Sequence, residues 1–426
     1  MSALDVHLHD VLVGRLERLD QARLRFTYTE RAVAEGNGSL SLSLPLRAEP
    51  FDDVECRPFF GGLLPEGDFL RAVGRAFGVA PTNAFAVLAA IGGECAGAVS
   101  LTGAGSPRPA ERPPRWLGSH ELHQLITSLP SRPLLSGDEE GGLRLSLAGA
   151  QDKLPVLFEG GRLGVTRGVP PSTHIIKLPD VRFADMVANE AYGLALAAEA
   201  GIEAAAARPR LTSTHAFERS PDDREHLLVR RYDRSDDGGA VRRVHQEDLC
   251  QALGFVPEQK YEADGGPGVA GCADLIRRRA AAPALDLLAF LDALLFNFMI
   301  GNHDAHAKNY SLILEGPRAP RIAPLYDLLS TVVYEGLSRK MAMKLGGEYR
   351  PPYVRGRHLE RLAGDLGMGV PAVRDRALAV RDRVIEAVAG GPALLPAEFA
   401  DREILTRING VIDDRSKLLA DAAAEL

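Results

Sequence analysis

The run Gly301-Asn302-His303-Asp304-Ala305-His306-Ala307-Lys308-Asn309 sets an aspartate five positions ahead of an asparagine, and Pro324-Leu325-Tyr326-Asp327 brings a second aspartate eighteen residues beyond that asparagine. Phosphoryl transfer from ATP uses groups in this order: an aspartate takes the proton of the attacking hydroxyl, and an asparagine and a later aspartate hold Mg2+ on the phosphates. Asp304 is therefore read as the base. Asn309 and Asp327 are read as metal ligands, oxygen donors of the kind this hard cation prefers. His306 and Lys308, on the same loop, are placed with the nucleotide. The usual loop is His-Arg-Asp with its asparagine five residues on, and the later aspartate sits in Asp-Phe-Gly. Here the spacing survives while the flanking letters differ. His303 and His306 also admit a transition-metal site of the form His-Asp-x-His, and the blandest alternative is a solvated polar turn. Both explain less, because Asn309 and Asp327 already account for the further ligands, and such a polar run after an apolar helix has little structural purpose.

Three other stretches fit the same chemistry. His174-Ile175-Ile176-Lys177-Leu178 puts a lysine in a strand between apolar neighbours. There it can pair the α/β-phosphates, with Glu190 of the next helix holding its ammonium in place. A lone strand lysine is more often a solvated edge residue. Ser146-Leu147-Ala148-Gly149-Ala150-Gln151-Asp152-Lys153 is rich in small residues, and Ala148, Gly149 and Ala150 would let backbone N–H groups approach a phosphate closely. The loop matches neither G-x-G-x-x-G nor G-x-x-x-x-G-K-[ST], and a tight hairpin turn is its structural alternative. Finally, the strand ending Leu228 to Asp233 lends its backbone to adenine. Arg230, Tyr232 and Asp233 line it, and Tyr232 can pack on the purine. Otherwise it is a core strand ending in a surface aromatic.

These groups need elements to position them. Val6 and Leu8, then Leu12 to Leu16, then Leu24, Phe26 and Tyr28 alternate as short strands. Ser39 to Leu46 has strict period two and predicts a half-buried strand stopped by Pro45. Helix-like sequence follows Phe59-Phe60-Gly61-Gly62 up to Ile91, so residues 1–103 read as one α+β subdomain. Residues 104–142 have a linker's Pro and Gly content around one short helix, Ser119 to Leu129. Residues 143–235 form the ATP-binding lobe, with strands at Leu154–Phe158, His174–Leu178 and Leu227–Tyr232 and a helix over Ala184–Ala200. Residues 236–426 are mostly helical and carry the catalytic loop and metal site. There Leu287 to Ile300 is apolar around most of its circumference, a buried helix that delivers the loop. The fold class is α+β, a mixed lobe leading into a helical one with ATP gripped in the cleft between them.

Composition agrees. With 426 residues, 46% hydrophobic and 25% charged, the chain has the content of a soluble globular protein of about two or three domains. Cys56, Cys95, Cys250 and Cys272 are far apart with no C-x-x-C pair, which indicates neither a zinc site nor a disulfide framework. The first residues lack a basic and an apolar region, so no signal peptide is expected. The longest apolar stretch, Leu285 to Ile300, is broken by Asp286, Asp292 and Asn297 and is read as short of a membrane span. Cytoplasmic residence without a membrane partner follows. A net charge of −7 disfavours direct DNA binding and suits protein partners or Mg-nucleotide.

In their order, Ser41 to Leu46, Phe60 to Gly67, Gly92 to Ala98, Ser146 to Lys153, Thr173 to Leu178, Asn189-Glu190, His245 to Leu253, Lys260 to Gly268, Gly301 to Ser311 and Pro324 to Leu329 resemble the HipA family of serine/threonine kinase toxins. The most specific are Ser-x-Ala-Gly-Ala-Gln-x-Lys, Tyr-Glu-x-Asp-Gly-Gly-Pro-Gly and Asp-x-His-x-Lys-Asn. The resemblance implies a bilobal kinase fold related to phosphoinositide kinases, using ATP and Mg2+, with an N-terminal subdomain. It implies autophosphorylation at Ser146, which would charge the phosphate loop, expel it and switch the kinase off. It also implies a HipB-like helix-turn-helix antitoxin that neutralises the kinase, represses the operon and makes most of the DNA contact. The implied substrate is an aminoacyl-tRNA synthetase, glutamyl-tRNA synthetase foremost, whose phosphorylation stops growth. His303 departs from the Thr or Asn more usual beside the base, and Arg230 stands where some relatives carry Glu. Two other readings share the core: a small-molecule or lipid kinase, and a silent co-repressor. The intact set Asp304, Asn309, Asp327 and Lys177 argues against the latter.

Overall fold

A computed structural model describes residues 2–36, 38–107, 112–128, 151, 153–166, 170–211, 224–236, 241–315 and 318–426. They divide into two compact units, one of residues 1–180, 210–247 and 313–318 and the other of 181–209, 248–312 and 319–426.

The first unit begins with strands β1 (Ala3–Leu8), β2 (Val11–Arg18) and β3 (Leu24–Tyr28). Helices α1 (Glu30–Glu35), α2 (Asp53–Gly62), α3 (Gly67–Phe77) and α4 (Ala84–Ile91) follow, then β4 (Val99–Gly103). The strands form an antiparallel sheet in the order β3-β2-β1-β4. Their period-two pattern sends Leu4, Val6, Leu16, Leu24 and Phe26 into one core with Phe59 and Phe60 of α2 and Val87 and Leu88 of α4.

Ser39 to Leu46 is not a strand. A single bridge joins Ser41 to Leu44, and the buried residues Leu40 and Leu44 lie four apart rather than two. Side chains replace the ladder that a strand would need. The Tyr28 hydroxyl accepts from the Leu40 N–H (2.8 Å) and donates to the Leu44 carbonyl (2.6 Å), while the Glu247 carboxylate accepts from the Ser41 hydroxyl and from the Leu42 N–H (2.8 Å).

A second sheet takes β5 (Arg115–Trp116), β6 (Lys153–Glu159), β7 (Arg162–Val165), β8 (His174–Lys177), β9 (Ala207–Leu211) and β10 (Glu225–Arg230) in the order β5-β7-β6-β8-β10-β9. Helix α5 (Ser119–Ser128) packs Leu122, Leu125 and Ile126 on Leu154, Val156, Leu163 and Ile176 of this sheet. Part of the stretch 104–142, which reads as linker, thus supplies an edge strand and a core helix. Its prolines mark an edge, where a missing N–H does no harm.

The second unit is helical: α6 (Met186–Glu199), α7 (Leu249–Leu253), α8 (Val269–Arg279), α9 (Pro283–Ile300), α10 (Gly356–Leu366), α11 (Val370–Gly390), α12 (Ala397–Ala400) and α13 (Glu403–Ala424). Helix α9 lies among α8, α11 and α13. With 18 residues and a mean hydropathy of 1.7 it is long and apolar enough to cross a membrane, contrary to the expectation above, but 72% of it is buried in the protein. Its acidic interruptions have partners. Asp286 accepts the Ile322 N–H (2.7 Å), and Asp292 binds Arg376 of α11 through both oxygens (2.5 and 2.6 Å) and Arg383 at 3.0 Å. The helix stops at Gly301, whose φ of +72° suits glycine.

Candidate active site

The loop after α9 is held by a buried asparagine. Asn302 donates through Nδ2 to the Asn297 Oδ1 (2.8 Å) and to the Asp327 carbonyl (3.0 Å), and its Oδ1 accepts the Asp304 N–H (3.2 Å). One amide therefore fixes the backbone of the predicted base and that of the second predicted metal ligand. Around it, the His303 N–H donates to the Thr331 hydroxyl oxygen (2.8 Å), and the Thr331 and Val332 N–H groups donate to the Gly301 carbonyl (3.1 and 3.2 Å). A second buried amide, Asn189 of α6, donates to the Ser330 carbonyl (2.9 Å) and the Tyr334 hydroxyl oxygen (3.1 Å) and accepts the Ser330 N–H (2.8 Å). The two chain segments that bear Asp304 and Asp327 are thus stapled together within one unit.

The side chain of Asp304 is exposed, and its Oδ1 accepts the Tyr261 hydroxyl at 2.7 Å. Tyr261 stands edge-on to the His306 ring, with centroids 5.1 Å apart and planes at 82°. His303 is turned elsewhere: its Nδ1 lies 3.1 Å from the Ser338 carbonyl, so Nδ1 carries the proton. Burial pulls the pKa of His303 down and keeps the ring neutral. The two histidines serve different neighbours, which removes the pairing a His-Asp-x-His metal site would require.

Lys308 is buried, with its Nζ 3.5 Å from the Asp248 carboxylate, and its carbonyl accepts the Tyr326 hydroxyl (2.8 Å). Burial raises the Asp248 carboxyl, against the opposing pull of Lys308. Asp248 also caps α7 in a reciprocal pair with Gln251.

Asn309 and Asp327 are both half-buried, and the Asn309 backbone N–H donates to the His306 carbonyl (2.8 Å). Asp327 has φ of +53°, the left-handed region that aspartate tolerates better than most residues and that recurs at functional positions. An amide oxygen and a carboxylate are donors of the kind that Mg2+ takes.

In the first unit, Lys177 is 6% exposed on β8, with β6 and β10 on either side of it, an interior position rather than an edge. Its register partners are Leu227 and Lys153. Glu190, in the second unit, is 2% exposed on α6. Arg230 is exposed at the end of β10, and the half-buried Tyr232 donates its hydroxyl to Gln246 (2.9 Å). Asp233 is buried in an ion cluster. Both its oxygens bind Arg231 (2.9 and 2.7 Å), Oδ2 also accepts the Gly97 N–H (2.7 Å), and its carbonyl accepts from Arg234 (2.7 Å) and the Val244 N–H (2.9 Å). These arginines hold its carboxyl well below the usual range against the effect of burial. Ser146, Ala148, Gly149 and Ala150 lie outside the described residues. Nearby, the Gln151 amide donates to the Leu178 carbonyl (2.7 Å).

Sequence reasoning gave no role to Asn302 or Tyr261. Asn302 sat inside the quoted loop, but its use depends on where Asn297 and Asp327 fall in space. Tyr261 sat in the Tyr-Glu-x-Asp-Gly-Gly-Pro-Gly motif, 43 positions ahead of its partner.

The HipA N-terminal domain family matches residues 4–102, and the HipA-like C-terminal domain family matches residues 145–390. The putative kinase Y4mE of Sinorhizobium fredii is 43% identical over 386 residues, 89% of either chain. The serine/threonine-protein kinase toxin HipA of Shewanella oneidensis is 30% identical over 413 residues, 92% of this chain and 90% of its own. Among solved structures, the Shewanella oneidensis MR-1 complex of HipA, HipB and operator DNA superposes with a TM-score of 0.81 at 28% identity, covering 99% of this chain and 96% of that one.

Proposed function

The chain belongs to the HipA family of serine/threonine kinases, with its α+β kinase-like fold, and from that premise we propose that it is the Mg-ATP-dependent toxin of a HipA/HipB-type module. Its substrate is an aminoacyl-tRNA synthetase, glutamyl-tRNA synthetase favoured, whose phosphorylation halts translation and growth. The observation that carries the reading is Asn302, which binds the backbones of Asp304 and Asp327 while the Asp304 carboxylate stays exposed.

Asp304 orients the acceptor hydroxyl and takes its proton as the oxygen attacks the γ-phosphorus. Asn309 and Asp327 hold Mg2+, which when bound neutralises charge on the phosphates. Lys177 anchors the α/β-phosphates with Glu190 as its partner, and the backbone at Arg230 to Asp233 receives adenine. His306 and Lys308 flank the phosphate side. Ala148, Gly149 and Ala150 cradle phosphate, and phosphorylation of Ser146 adds nearly two negative charges beside it. That loop then leaves and the kinase switches off. A HipB-like antitoxin is the partner, supported by the likeness, over 99% of this chain, to a HipA that was solved with HipB and operator DNA.

The test is intact-mass spectrometry of phosphatase-treated protein incubated with Mg-ATP, with the Asp304→Ala variant alongside. The wild type should gain one phosphate, mapped to Ser146, and the variant none. Phosphate gained by folded Asp304→Ala removes Asp304 as base. No gain with ATP still bound favours a small-molecule or lipid acceptor, and no gain without ATP binding favours the silent co-repressor.

A further inference from the structure

The Tyr261 hydroxyl reaches the Asp304 carboxylate from a turn built to hold it still. The Gly266 N–H donates to the Tyr261 carbonyl (3.0 Å). A Cβ at Gly266 would lie 1.9 Å from the Gln259 carbonyl oxygen and 2.8 Å from that of Tyr261, so only glycine closes the turn. On the other side, Glu262 is bound to the segment after the metal ligand. Its N–H donates to the Ala342 carbonyl (3.3 Å), and its carboxylate accepts the Lys344 N–H (2.7 Å) and pairs with the Lys344 ammonium (3.3 Å). The ring itself is braced edge-on against His306, two residues past Asp304.

At Asp304 the contacts are one-sided. Its N–H goes to Asn302 and its carbonyl accepts the His306 N–H (2.8 Å). Of its carboxylate oxygens, only Oδ1 has a described partner, Tyr261. The last torsion of an aspartate is soft, so an exposed carboxylate without such a bond samples a broad range of orientations. A base must hold one oxygen toward the hydroxyl it deprotonates, and misplacement by about an ångström can slow a reaction roughly 100-fold.

We propose that Tyr261 is the positioning residue of the base: its hydroxyl pins Oδ1 of Asp304 and leaves Oδ2 turned to the acceptor hydroxyl. The inference rests on the kinase reading above. It makes the Tyr-Glu-x-Asp-Gly-Gly-Pro-Gly segment part of the acceptor side of the site.

Tyr261→Phe keeps the ring and its packing on His306 and deletes only the hydroxyl. Phosphate transfer at saturating Mg-ATP is followed by intact mass on the protein itself and by labelling of dephosphorylated casein. ATP affinity and the melting temperature are measured in parallel. The expected result is a maximal rate about 10- to 100-fold lower, with ATP affinity and melting temperature unchanged. In an Asp304→Asn background, the same substitution should leave the residual rate where it was, since the two residues act as one unit. A rate within twofold of wild type overturns the proposal. So does a faster rate, which would make the bond a restraint on the base, or an equal loss in the Asp304→Asn background. A fall in melting temperature that accompanies the lost rate assigns Tyr261 to stability and overturns it too. A wild type that transfers phosphate to neither acceptor overturns the kinase reading and this inference with it; an active wild type with an unaffected Tyr261→Phe overturns this inference alone.

Discussion

Replacing Glu94 by Gln should destabilise the first unit far more than an ordinary surface change. Glu94 sits just before β4, with its side chain 0% exposed, and its Oε1 accepts from the Ser172 N–H (3.1 Å), the Ser172 hydroxyl (2.6 Å), Arg231 (3.4 Å) and Arg234 (2.8 Å). Asp233 is the other acid of the cluster and already binds Arg231 through both oxygens and Arg234 at 3.1 Å. Burial alone would raise the Glu94 carboxyl, but Arg243, Arg234 and Arg231 together pull it below its ordinary value. Arg234 is itself brought down to about 10 by burial and by Arg231. Removing the Glu94 charge leaves two buried guanidiniums on one carboxylate, and breaking a buried pair in this way costs about 3–5 kcal/mol. For a unit of this size that is a fall of roughly 6–20 °C in melting temperature.

The assay is built into the chain. Trp116 is the sole tryptophan and lies in β5, so its fluorescence follows the unfolding of the first unit. Ser172→Ala, which removes a hydroxyl that donates to Glu94 (2.6 Å) and accepts from Arg231 (3.0 Å) but leaves every charge in place, should cost less, about 1.5–3 kcal/mol. The pH dependence has a definite sign. With the folded carboxyl below the ordinary 4.5, its stabilisation is complete above that value and declines as pH falls beneath it. The gap between wild type and Glu94→Gln should therefore hold from neutral pH to about 5 and narrow below. A loss under about 1 kcal/mol, or a gap that widens on acidification, would refute the argument that ionised Glu94 balances the cluster.

Two further substitutions probe how the site is held. Gly193→Ala would place a Cβ 2.1 Å from the Leu328 carbonyl oxygen, beside Asp327; helix propensity alone favours alanine by about 1 kcal/mol, so the prediction is a lower melting temperature and a higher Mg2+ requirement, and a stabilised variant with unchanged Mg2+ titration contradicts it. Asn302→Ala should leave the Asn297 amide oxygen unpaired, at about 1–3 kcal/mol, and raise the Mg2+ concentration for half-maximal phosphate transfer, because the Asp327 backbone loses its tie to the loop.

Where a side chain's role follows from local spacing, the sequence shows it. The period of β1 to β3 buries most of the expected residues, although Leu12 is exposed and Val13 is buried where the β1–β2 register shifts, and the apolar circumference of α9 places the Asn302–Asn309 loop. Ser39 to Leu46 misled because alternation reports which residues can be buried, not whether a neighbour strand supplies hydrogen bonds. Here Tyr28 and Glu247 supply them, the latter more than 200 residues away. Arg115 and Trp116 were lost among prolines for a related reason: an edge strand tolerates the composition of a linker. The ion cluster around Asp233 is not legible in the sequence, because Gly97 and Glu94, which bind Asp233 and its neighbour Arg234, come from a distant part of the chain.

The Glu94 cluster and the loop that bears Asp304 are held by different means, and the difference has a chemical reason. In the first, ions do the joining: Glu94, Arg231, Asp233 and Arg234 are all nearly inaccessible. In the second, the segments bearing Asp304 and Asp327 are joined by the neutral amides of Asn189, Asn297 and Asn302 and the hydroxyl of Thr331. An amide offers a donor and an acceptor at once, so it can bind two stretches of backbone without the desolvation penalty of a charge. A buried arginine at the same place would hold the loop as firmly, but it would also draw Asp304 and Asp327 into ion pairs. Under the proposed function, carboxylates that take a hydroxyl proton and hold a divalent cation must keep their charge for those ligands. Neutral staples fix the backbone without setting another charge beside Asp304 and Asp327.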